Sequence, residues 1–131
     1  MREGVYVSQT KGKEGVYTVT YDIRIFQPNT KQMTPKAAHT LEHLLAVWFR
    51  NIYEGKDEVV YIGPMGCLTG FYLILSAPKP LGEVRDTIKR AFQWVIEQDT
   101  IPGATKEECG NYKLHSLPEA KGIARTFITK L

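Results

Sequence analysis

The sequence predicts an α+β fold: a single layer of helices packed on one face of a mostly antiparallel sheet. Two observations carry this. Short runs rich in β-branched and aromatic residues stand before and between segments with helical apolar stripes, and the links between them are short. The 131 residues, 43% hydrophobic and 24% charged, have ordinary globular values, which exclude disordered and collagen-like classes. That length suits one domain over residues 1–131, and no linker divides it.

The elements follow in order. Val16–Phe26 partly alternates apolar and polar residues and reads as a strand, closed by the turn residues Gln27-Pro28-Asn29. Thr34 as N-cap and Pro35 at the first helical position open a helix. It runs to about Tyr53 and stops near Gly55. Its Ala38/Leu41/Leu45/Trp48 and Leu44/Phe49 faces are both apolar, so it is expected to be largely buried. Val59–Ile62 is a second strand, Gly63–Gly66 a tight connection and Phe71–Ser76 a third strand. A second helix spans Leu81 to Gln98, with Val84, Ile88, Phe92, Val95 and Ile96 on one stripe. Pro102–Thr105 is a loop, and a third helix starts at Pro118.

Net charge is +3, with basic residues scattered rather than striped, and no zinc-finger spacing occurs. A nucleic-acid partner is therefore not expected. No apolar run approaches the roughly 18–20 residues that cross a bilayer, so no membrane partner is expected either. Met1–Thr10 has no apolar stretch of the signal-peptide kind, and a cytoplasmic location is the expectation. In that compartment Cys67 and Cys109 point to metal, catalysis or burial rather than a disulfide.

The strongest chemical signal is His39-Thr40-Leu41-Glu42-His43. On a helix, residues four apart share a face, so His39 and His43 can grip one metal ion with Glu42 beside them. A catalytic site normally takes three protein ligands. Cys109 and His115 are the candidates for the third, and spacing favours Cys109. Cys67, flanked by glycines, is either an acid/base or nucleophile or a core cysteine at a strand end. Arg24, between Ile23 and Ile25, either faces inward and binds a substrate anion or polyol, or faces solvent.

Four blocks in order resemble the S-ribosylhomocysteine lyase (LuxS) family. They are Asp22-Ile23-Arg24 with Gln27-Pro28-Asn29, His39-Thr40-Leu41-Glu42-His43-Leu44-Leu45-Ala46, Pro64-Met65-Gly66-Cys67 with Thr69-Gly70-Phe71-Tyr72, and Cys109-Gly110 with Lys113-Leu114-His115 and Glu119-Ala120. The resemblance implies His39, His43 and Cys109 as ligands of one divalent metal ion per subunit, ferrous iron with zinc or cobalt as substitutes. It implies Glu42 and Cys67 as acid/base groups and Arg24 as a substrate-binding residue. The implied reaction, in a homodimer, cleaves the small molecule S-ribosylhomocysteine to homocysteine and a dihydroxy-pentanedione. The resemblance also implies an N-terminal segment lending a Ser and a His to the partner's pocket, a context that Ser8 lacks. Leu68 stands where the family is usually polar, and Tyr61-Ile62-Gly63 replaces its Asp-Ile-Ser. The competing expectations are a related metal-dependent isomerase, epimerase or lyase with another substrate, a metallopeptidase, and a non-catalytic protein.

Overall fold

The structure, a computed structural model, describes residues 1–13 and 15–131. Four strands form one antiparallel sheet: β1 (Gly4–Lys13), β2 (Val16–Arg24), β3 (Val59–Pro64) and β4 (Gly70–Leu75), in the order β1-β2-β4-β3. Three helices accompany it: α1 (Pro35–Val47), α2 (Leu81–Ile96) and α3 (Leu117–Ile128). Pairing Val19, Tyr21 and Ile23 with Leu75, Leu73 and Phe71 aligns the inward apolar positions of the two central strands. Those side chains form one buried cluster with Leu41, Leu45 and Phe49 from the α1 region, Ile88 and Phe92 from α2, and Phe127 from α3. Successive strand residues face opposite ways, so the same register puts Asp22, Arg24 and Tyr72 on the face away from this core.

α1 begins as its sequence predicts: the Thr34 side chain accepts the Ala37 N–H at 3.1 Å, with Pro35 in the first turn. Beyond Val47 it widens into a π-helical turn, Trp48–Ile52, before Tyr53 leaves it. β2 stops at Arg24, short of the expected Phe26, because the Ile25 and Phe26 N–H groups both donate to the Thr69 carbonyl. α2 ends at Ile96 rather than Gln98, its last N–H groups making tighter bonds to Trp94 and Val95. β1 carries no clear strand signal in its sequence. Beyond Val5 and Tyr6 it is exposed throughout, so its place is set by hairpin hydrogen bonds rather than by an apolar pattern, and its lysines suit an open edge. Among the described residues no helix is long and apolar enough to cross a membrane.

Candidate metal centre and the two clefts

α1 presents His39 and His43 on one face, and their partners come from the loop between α2 and α3. His39 Nδ1 lies 2.6 Å from the Leu114 carbonyl, and His43 Nδ1 lies 2.9 Å from that of Pro102. A carbonyl only accepts, so both Nδ1 atoms donate and both Nε2 atoms are left as lone pairs. Gly103 explains the second contact. Its φ of +67° turns the chain where a side chain would be strained, and a Cβ there would sit 3.4 Å from His43 Nδ1.

The two Nε2 atoms stand 3.1 Å apart, with Cys109 Sγ 3.5 Å from one and 3.7 Å from the other. Cys109 is aimed by a single helical turn in which its N–H donates to the Thr105 carbonyl at 2.9 Å. A thiol proton could serve one imidazole lone pair but not both, so the trio lacks a positive centre. The edges of a tetrahedral ion site are about 3.3 Å between nitrogens and about 3.6 Å from nitrogen to sulfur. The residues present therefore fit a divalent ion.

His115 joins the same group but lies flat against His39, with ring centroids 3.9 Å apart and planes 20° from parallel. An imidazole lone pair lies in its ring plane, so an ion in the plane of His39 is out of reach of the His115 lone pairs. Of the two candidates for a third donor, the geometry favours Cys109. His115 Nδ1 instead meets Thr40 Oγ1 at 3.0 Å, and the same oxygen accepts the Ser116 N–H at 2.9 Å. Burial first, then the neighbouring His39 and His43, push His115 below the usual histidine range.

Glu42, one residue before His43, opens with it into a cleft of about 520 Å³ that Arg50, Tyr61, Gly103 and Glu108 also line. The Tyr61 ring lies across Gly63, so that a Cβ there would strike it. Tyr61 and Gly63, which both depart from the family's triplet, thus form one packing arrangement.

Cys67 opens into a different cleft, about 590 Å³, which it lines with Arg24, Thr69 and the 28–32 segment. The two clefts have no lining residue in common. Leu68, next to Cys67, takes a left-handed φ of 60°, uncommon for a branched side chain. Arg24 does not face inward, as one expectation had it. The inward positions go to Ile23 and Ile25, and Arg24 lies on the outer face with a side chain only 11% exposed. Its Nη2 pairs with Asp22 Oδ2 at 2.6 Å, and its Nη1 donates to Thr69 Oγ1 at 2.6 Å. Thr69 Oγ1 is in turn 2.9 Å from Cys67 Sγ. Hydrogen bonds from the Thr69 side chain and backbone, and then the Arg24 charge, hold the Cys67 thiol below its ordinary range.

Asp22, Thr40 and Thr69 are functional neighbours without a role assigned from the sequence. The two-residue step from Asp22 to Arg24 on a strand was the available signal for the first. The threonines carried none: the partners of Thr40 lie 75 and 76 residues away, and Thr69, though two residues from Cys67, is tied to Arg24 across 45 residues.

The family model for S-ribosylhomocysteinase (LuxS) matches residues 1–131. The S-ribosylhomocysteine lyase of Borreliella burgdorferi is 42% identical over 123 residues, covering 92% of this chain and 78% of that protein. Its counterpart in Phocaeicola vulgatus is 40% identical over 120 residues, 90% and 74% of the two chains. That of Desulfotalea psychrophila is 37% identical over 133 residues, 100% and 84%.

Proposed function

The chain belongs to the S-ribosylhomocysteinase (LuxS) family, and we propose that it is a metal-dependent carbon–sulfur lyase. In this reading it is a single catalytic domain that cleaves the thioether of S-ribosylhomocysteine, releasing homocysteine and a dihydroxy-pentanedione. The observation that carries the metal dependence is the convergence of His39, His43 and Cys109 with both imidazole tautomers fixed by backbone carbonyls.

His39, His43 and Cys109 would hold one divalent ion, and ferrous iron, zinc and cobalt all suit two imidazoles and a thiolate. A bound ion supplies Lewis acidity to a sugar carbonyl, making the neighbouring C–H acidic. Glu42, beside His43, takes the proton from the carbon next to that carbonyl and returns a proton to the former carbonyl carbon. Cys67 carries protons on the other side of the sugar, and Arg24 binds the substrate's polar groups. Repeated transfers move the carbonyl along the chain until it is β to the sulfur-bearing carbon. Removal of the intervening proton then forms a C=C bond as the C–S electron pair leaves with the homocysteine thiolate.

Glu42 and Cys67 line separate clefts, which supports a homodimer in which a second copy brings the two kinds of group to one substrate. Tyr61 and Tyr72, both exposed, offer an outer sheet face for that contact. A cytoplasmic location fits a thiolate-dependent site.

Free-thiol release from S-ribosylhomocysteine by anaerobically iron-loaded protein tests the reading. Metal-dependent release by the wild type, lost in Glu42→Gln, is the expected result. Verified metal binding with no thiol release, but with substrate-dependent deuterium exchange, would transfer the reading to a related enzyme with another substrate.

A further inference from the structure

The three side chains around Cys67 fix the direction of a hydrogen bond. A guanidinium has donors and no acceptor, so Arg24 Nη1 donates to Thr69 Oγ1 at 2.6 Å. Thr69 Oγ1 makes one other side-chain contact among the described residues, with Cys67 Sγ at 2.9 Å. Thr69 is buried. If the Cys67 thiol donated, the hydroxyl proton of Thr69 would have no acceptor, at a site where an unmet donor is costly. The arrangement closes only when Thr69 donates to sulfur. Asp22, itself buried, pairs with the other arm of Arg24 and holds the fork in place.

We propose that Thr69 is a positioning residue for Cys67, passing the polarity of Arg24 to the sulfur and holding it as the acceptor that a resting thiolate requires. Thr69 does not touch substrate in this account; it acts through Cys67. The charged groups facing the sulfur are few. Arg24, with its partner Asp22, comes from β2, and Lys31 comes from the segment before α1. The backbone of Thr69 also favours the thiolate, and no side-chain substitution removes that contribution. The proposal deepens the role given above to Cys67, but its test uses no substrate, so it fails or stands independently of the lyase reading.

The test is the pH dependence of iodoacetamide alkylation in the full-length, metal-loaded chain. Peptide mass spectrometry reads Cys67 separately from Cys109. Reactivity follows the thiolate fraction. A lowered wild-type value means that alkylation persists to lower pH than for an ordinary cysteine. Thr69→Val keeps the shape and removes the hydroxyl. Its midpoint is expected to rise by about one to two pH units, the share of a charge-assisted hydrogen bond. Thr69→Ser restores the donor and is expected to return the midpoint to near wild type. Arg24→Gln removes both the charge facing the sulfur and the donor to Thr69, so it is expected to raise the midpoint by either route, and the threonine variants carry the decision. A Thr69→Val midpoint equal to wild type would overturn the proposal, as would a serine variant that shifts as far as valine. Should the valine variant fail to fold, Thr69→Ala takes its place: a midpoint equal to wild type there would overturn the proposal too.

Discussion

Two threonines stand behind the two clefts, and they work differently. Thr40, on α1, ties the metal centre to the chain: its oxygen accepts the Ser116 N–H and meets His115. Thr69 ties charged side chains to a sulfur: Arg24 on one side, Cys67 on the other. The candidate metal centre is ordered mainly by backbone carbonyls, those of Leu114 and Pro102, which fix which imidazole nitrogens stay free. The Cys67 cleft is ordered by a relay of side chains from Asp22 inward. A backbone-ordered site tolerates substitution around it as long as the loop holds, whereas a side-chain relay fails at any link.

The largest expected effect separates the two cysteines. Cys109→Ser should lose metal far beyond the roughly 10–100-fold that a missing outer-shell partner costs, while Cys67→Ala should keep full occupancy. Metal analysis after dialysis reads both, and equal loss in both would break the division. Next is Glu42→Gln, which removes the proposed proton carrier but no candidate metal donor. Thiol release should fall by about 10²–10⁴-fold at unchanged metal content. The threonines sharpen the comparison in a third experiment. Thr40→Val leaves the Ser116 N–H without its acceptor and should cost about 1–3 kcal/mol of folding stability. Metal affinity should fall by about tenfold, and Cys67 titration should not change. Thr69→Val should do the reverse, moving the thiol midpoint and leaving metal affinity alone. Calorimetry and a competitive chelator assay on both variants suffice, and a shift of both properties in either variant would merge the two regions into one. The smallest effect belongs to Gly63→Ala. The new methyl displaces the Tyr61 ring, a movable side-chain end, so stability should change by no more than about 0.5–1 kcal/mol. KM should move more than kcat, since Tyr61 lines the Glu42 cleft.

What the sequence disclosed follows the same contrast. The His39–His43 spacing was legible because a helix converts a four-residue step into a shared face, and Thr34-Pro35 marked where that helix begins. β2 was legible because burial enforces a partial alternation, and β4 because its run Phe71–Leu75 is short, apolar and bounded by turn residues. β1 was not, since an exposed edge strand needs no apolar pattern. The choice between Cys109 and His115 required the loop's conformation, because both lie within reach in sequence. The carbonyls of Leu114 and Pro102 could not have been read at all: a backbone acceptor carries no residue identity. Thr69 was visible as a residue but not as a partner, because the register that brings β4 beside Arg24 is a tertiary fact.

The most direct measurement of the central claim is metal stoichiometry and thiol release from S-ribosylhomocysteine, taken on one preparation each of wild type, Cys67→Ala and Cys109→Ser. The account predicts near-stoichiometric metal with no release for Cys67→Ala, loss of both for Cys109→Ser, and both intact in the wild type. Full thiol release by Cys67→Ala, or full metal occupancy in Cys109→Ser, would contradict it.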